Sequence, residues 1–145
     1  DLCQRYDSPV ARLVEKGIER IGRPLQDIQT AVENMGNVEV GRLEKGLPML
    51  ATIAGGAPMI GFLGTVTGMI EAFFRMSTAG NNIDITLLSG GIYEAMVTTV
   101  GGLFVGIIAY FGYNFLTSQI SNLVFKMEST TIEFIDMLHE PASKE

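Results

Sequence analysis

The sequence predicts an all-α membrane protein, and three observations carry that prediction. First, residues 46–70 hold no charged side chain, and residues 85–125 hold only Glu94. A bilayer span needs about 20 apolar residues, so both runs are long enough. Second, of ten Lys and Arg, seven lie before Gly46, two lie after the second run, and only Arg75 falls between the runs. Third, small residues in both runs recur at helical spacing. The expected order is cytoplasmic amphipathic helices over 1–46, a transmembrane helix over 47–75 and a short external loop over 76–84. A second transmembrane helix follows over 85–117, then a cytoplasmic helical extension and tail over 118–145. By the positive-inside rule both ends are cytoplasmic.

The elements follow in order. "SP" at 8–9 supplies an N-cap and a first-turn proline, and Val10, Leu13, Val14, Ile18 and Ile21 continue at helical spacing to the "GRP" break at 22–24. A second helix places Leu25, Ile28, Val32 and Met35 on one stripe. The plain reading of both is surface helices packed on each other or on a neighbour. The first span opens near Leu47 with Pro48, and Pro58 inside it is expected to kink it or end a preliminary turn. "STAGNN" at 77–82 forms the turn. The second span starts between Asp84 and Gly91. Ile120, Leu123, Val124, Met127, Phe134, Ile135 and Leu138 then keep a helical stripe among returning charges, so the helix is expected to run on beyond the membrane. With Asp1 as its first residue and no start methionine, the chain reads as part of a longer one.

On a helical wheel, Gly91, Ala95, Thr98, Gly101, Gly102, Gly106, Ala109 and Gly112 fall within about 120° of Glu94 on one side. Bulky residues take the rest. In the first span Ala54, Ala57, Gly61, Gly64, Thr65, Gly68 and Ala72 share a face. Gly64 with Gly68, and Gly102 with Gly106, make GxxxG pairs that let helix backbones approach closely. Packing alone accounts for such glycines but not for Glu94. A charge at bilayer depth costs several kcal/mol, and such residues face a protein interior or an ion route. The competing reading puts Glu94 at the outer interface, ten residues past Asp84.

The chemistry of enzymes is not visible. His139 stands alone in a charged tail, and the lone Cys3 permits no internal disulfide. The sequence offers no metal-ligand cluster, no nucleophile with a base, and no phosphate loop, since "GGAPMIGFLG" follows no strand. Basic residues are interleaved with acids, which disfavours nucleic acid as a partner. No cofactor is implied.

Two motifs resemble a known family. "APMIGFLGTVTGMIEAF" at 57–73 is similar to one span of the ExbB, TolQ and MotA proteins, with its pattern AP-x-x-G-L-x-G-T-V-x-G. "GGIYEAMVTTVGGLFVGIIAYFGYNF" at 90–115 resembles the next, and its "EAM-x-T-T-x-x-GLFV" is nearer ExbB than MotA. The resemblance implies a bacterial inner-membrane subunit of a proton-motive-force-driven motor, not an enzyme. It implies a first span upstream of Asp1 and a homo-oligomer, a pentamer, around an ExbD-like single-span partner that energises TonB. It also implies that Thr65, Glu94 and Thr99 line the proton path; Thr98, one turn from Glu94, joins them by its position. Gly61, Gly64, Gly68, Gly101, Gly102 and Gly106 are read as helix-packing positions. Two departures stand out: the family's proline is missing from "GIIAY" at 106–110, and Thr67 replaces a bulky residue. The alternatives are a TolQ-type subunit of the Tol envelope system, a passive oligomeric scaffold whose small faces only pack, and a solute channel. The last is disfavoured by the lack of further intramembrane polar groups.

Overall fold

The computed structural model describes residues 2–80 and 84–140. Five helices follow one another: α1 (Leu2–Arg5), α2 (Pro9–Ile18), α3 (Leu25–Leu43), α4 (Leu47–Thr78) and α5 (Ile85–His139). Among the described residues no strand occurs. Of the expected loop, residues 81–83 lie outside the described residues, as do Asp1 and the tail from 141, which includes Lys144. The chain divides into two compact units: a charged unit of residues 1–45 and 117–145, and an apolar unit of residues 46–116.

In the charged unit, the Ser8 hydroxyl caps α2 by accepting from the Ala11 N–H at 3.2 Å, and Pro9 opens the helix. The helix ends at Ile18, four residues short of the expected break, in a turn that runs to Gly22 at φ +97°. That early stop corrects the sequence stripe. Leu13 is buried, while Ile18 and Ile21 stand 48% and 57% exposed. The core joins α2, α3 and the far end of α5 through Leu13, Ile28, Val32, Met127 and Phe134, flanked by Val10, Val14, Met35, Leu123, Ile135 and Leu138. Each such side chain contributes about 1.5–3 kcal/mol when fully buried. At Gly17, α2 comes close to both neighbours. A Cβ there would lie 2.9 Å from Phe134 Cζ and 3.1 Å from Val32 Cγ2.

One carboxylate belongs to this core. Glu39 is 1% exposed and takes Arg12 Nε at 3.0 Å, Arg12 Nη2 at 2.8 Å and Arg42 Nη1 at 3.0 Å. The two-pronged bond from Arg12 holds the Glu39 carboxyl below the usual carboxylate range, against the opposing push of burial. Glu39 in turn raises Arg12, which also bonds Asp7.

In the apolar unit, α4 starts after Gly46, whose φ of +91° ends the preceding turn, with Pro48 in its first turn. The helix runs on through Pro58, which ends no preliminary turn. Gly106 of α5 leaves room for the proline ring, since a Cβ there would stand 2.5 Å from Pro58 Cγ and 2.7 Å from Cδ. The Asp84 carboxylate accepts the Thr86 N–H at 2.9 Å just ahead of α5. That helix is unbroken from span to extension, as its stripe predicted. The bulky sides of both helices are bare: Met59 is 73% exposed and Phe104 66%. The core helix of a soluble protein would be covered, whereas lipid covers such a face in a membrane. Both helices are long and apolar enough to cross one.

Candidate functional site between two small-residue helix faces

α4 and α5 meet along their small faces, antiparallel and in strict register. Gly61 lies against Gly102, Gly68 against Ala95, and Ala72 against Gly91. Seven and then four residues along one helix match seven and four back along the other. The approach is close: a Cβ on Gly102 would stand 2.6 Å from the Ala57 carbonyl oxygen and 2.8 Å from Gly61 Cα. Five of the six predicted packing glycines lie in this seam. Gly101 has open space where a side chain would stand.

The glycines bring two hydroxyls together. Thr65 Oγ1 and Thr99 Oγ1 are hydrogen-bonded to each other across the seam. Thr65 Oγ1 is also 3.2 Å from the Ala95 carbonyl oxygen, and Thr99 Oγ1 is 3.2 Å from that of Gly61. Each hydroxyl has one proton to donate. The pair can therefore run in two directions. Either Thr65 donates to Thr99 and Thr99 to Gly61, or Thr99 donates to Thr65 and Thr65 to Ala95 or, at 3.4 Å, to Gly61 of its own helix. Rotating the two hydroxyls exchanges these directions with no heavy atom moving.

Beside this seam lies a groove of about 520 Å³. Glu94 and Thr98 line it from α5, and Thr67, Glu71 and Arg75 line it from α4. Thr98 rests against Gly64 and donates within its own helix to Ala95 O at 2.7 Å, so it does not join the Thr65–Thr99 pair. Glu94 is exposed to the groove and has no hydrogen-bond or ion-pair partner among the described residues. Glu71 and Arg75 are paired with each other. Sequence reasoning left these two out of the site. The signal was available: Gly64, Gly68, Glu71 and Arg75 follow one helical stripe, so the small face of α4 ends in charge.

The profile of the MotA/TolQ/ExbB proton channel family matches residues 5–129. The chain belongs to this family. Its two long apolar helices are those of a chain in a membrane-embedded family. The chain is 32% identical over 124 residues to a putative biopolymer transport protein ExbB homolog of Methanothermobacter thermautotrophicus, covering 86% of this chain and 43% of that protein. It is 36% identical over 106 residues to the Tol-Pal system protein TolQ of Haemophilus influenzae, covering 73% of this chain and 46% of that one. Over a shorter stretch of 75 residues it is 43% identical to the biopolymer transport protein ExbB of Neisseria gonorrhoeae, covering 52% of this chain and 34% of that one. The chain thus spans less than half the length of each of these relatives. ExbB and TolQ proteins both stand among them, so membership in the MotA/TolQ/ExbB family is shared ground for either role.

Proposed function

We propose that the chain is part of an ExbB-type subunit of a proton-motive-force-driven complex in the bacterial inner membrane. Both ends of this segment lie in the cytoplasm. The subunit forms a homo-oligomer, a pentamer by resemblance, around an ExbD-like single-span partner, and together they energise TonB-dependent transport across the outer membrane. The observation that carries this reading is the Thr65–Thr99 hydroxyl pair, held in a glycine-walled seam beside the groove that holds Glu94.

The proposed mechanism uses each part. Glu94 is the group that takes up and releases a proton in the groove. Thr98 lies one helical turn away on the same wall and offers a hydroxyl to the group arriving there. Thr65 and Thr99 pass a hydrogen-bond reversal between the two helices. The bare apolar faces keep water and other ions off the path. A carboxyl on the single-span partner, once protonated, passes the apolar wall at lower cost. The membrane potential supplies about 2.3 kcal/mol per charge per 100 mV. Support for the cytoplasmic ends is the basic excess before Gly46 against the single Arg75 beside the loop.

A TolQ-type role in the Tol envelope system is the second reading, favoured by the 36% identity to a TolQ protein. The test is gradient-dependent nutrient uptake and, separately, envelope integrity in cells carrying Glu94→Gln or Thr65→Val in the full chain. Loss of uptake with a sound envelope supports the ExbB reading. Loss of envelope integrity with intact uptake supports the TolQ reading. Both functions unchanged at normal expression would reject the motor role of these residues and leave the passive scaffold.

A further inference from the structure

A second groove, of about 700 Å³, runs along the charged unit between α3 and the far part of α5. Glu33, Glu128 and Asp136 stand on its walls, and Val124, Ile132 and Ile135 form apolar surface within it. No Lys or Arg lines it, and Ile132 is 62% exposed. The same unit carries a feature of opposite character. The turn after α2 displays Ile18 and Ile21, 48% and 57% exposed, within "KGIERIGR". Three cations accompany them, Lys16, Arg20 and Arg23, against one acid, Glu19, which Lys16 already holds at 2.9 Å.

The turn and the groove occupy different faces of one unit. α2 packs on the face bearing Val32 and Phe134. The groove-lining residues stand roughly 100° round α3 and α5 from that face. The turn therefore does not fill the groove of its own chain. The two do lie at one height, because Gly17 abuts Phe134 and Ile18 follows it, level with the Ile132–Asp136 end of the groove. A projection on one face and a matching recess on another, at one height, is what a head-to-tail ring requires.

We propose that the acidic groove receives the Ile18–Arg23 turn of a second copy of this chain, so that neighbouring subunits join head to tail through their charged units. The isoleucines supply apolar burial, and Arg20 and Arg23 against Glu33, Glu128 and Asp136 set the register. This deepens the reading of the chain as a homo-oligomeric subunit and rests on it.

The test is oxidative cross-linking of the full chain in its own membrane, in a Cys3→Ser background. Ile18→Cys combined with Ile132→Cys is expected to give a ladder extending beyond dimers, whereas either substitution alone cannot pass the dimer. Monomers only, or dimers only, in the double variant would overturn the proposal. That is also the outcome if another segment of the chain or a different protein fills the groove. Adding Arg20→Glu and Arg23→Glu is expected to abolish the ladder, and reversing Glu128→Arg and Asp136→Arg in the same chain to restore it. A ladder indifferent to the charge reversal overturns the pairing as well. Proton coupling is read separately in the same membranes through Glu94→Gln, which leaves the ladder intact. A lost ladder with Glu94-dependent uptake sinks the docking alone, and a ladder with Glu94-independent uptake sinks the proton reading alone.

Discussion

The charged unit and the apolar unit are both helical, yet they are held together by opposite means. In the charged unit large side chains mesh, with Leu13, Val32, Met127 and Phe134 closing a core out of water. In the apolar unit glycine and alanine meet, and the large side chains point outward. The difference follows from the solvent. Water drives apolar groups together, so bulk is worth burying. Lipid tails are as apolar as leucine and give no such drive, so the helices associate by backbone approach, dispersion and hydrogen bonds. The two units treat polar groups accordingly. Glu39 is buried as a charge because two arginines reach it, while the seam between α4 and α5 holds only hydroxyls and carbonyls.

This contrast can be broken at either end. The largest stability effect is expected from Phe134→Ala, about 3–5 kcal/mol, as loss of a core aromatic. Hydrogen exchange should show it in α2 and α3 and leave the seam protected. Next comes Gly102→Val, about 1–3 kcal/mol from overpacking against backbone that cannot yield. Its neighbour sharpens the point: Gly101→Val faces open space and should leave exchange in α4 unchanged, at odds with the packing role read for that position. A protected seam in Gly102→Val would remove the close-approach account.

Glu39 provides a pH test confined to the charged unit. Its carboxyl is held low in the folded state, so its stabilisation is fully present above the ordinary glutamate pKa, about 4.3, and is lost as pH falls through the depressed folded value. Stability of α2 and α3 should fall on acidification below about pH 4, and Glu39→Gln should be less stable at neutral pH with a flatter acid limb. An unchanged acid limb would mean other carboxylates set it. A small stability change, about 0.6 kcal/mol for one interhelical hydrogen bond in a membrane, is expected from Thr65→Val. The same substitution should nevertheless abolish gradient-driven work. A large structural change without a functional one would make the pair a fastener rather than a relay.

Much of this was legible in the sequence, and for definite reasons. Charge-free length revealed α4 and α5, since residues that must sit in lipid leave charge out. The stripe from Ile120 to Leu138 revealed that α5 continues, because no proline between Asp84 and Leu138 interrupts its period. Small-residue spacing marked the faces of the seam, and Glu94 stood out by being alone. Periodicity, however, names a face and not what it meets. Only the tertiary structure decided that the two small faces meet each other, so that Thr65 bonds Thr99 while Thr98 turns to the groove. Only the fold brought Glu71 and Arg75 to the groove with Glu94, and Arg12 to Glu39 across 27 residues of chain. The period of a helix is a local property written in neighbouring residues, whereas a hydrogen bond between helices depends on register, which is set by how closely every glycine along the seam lets the backbones come.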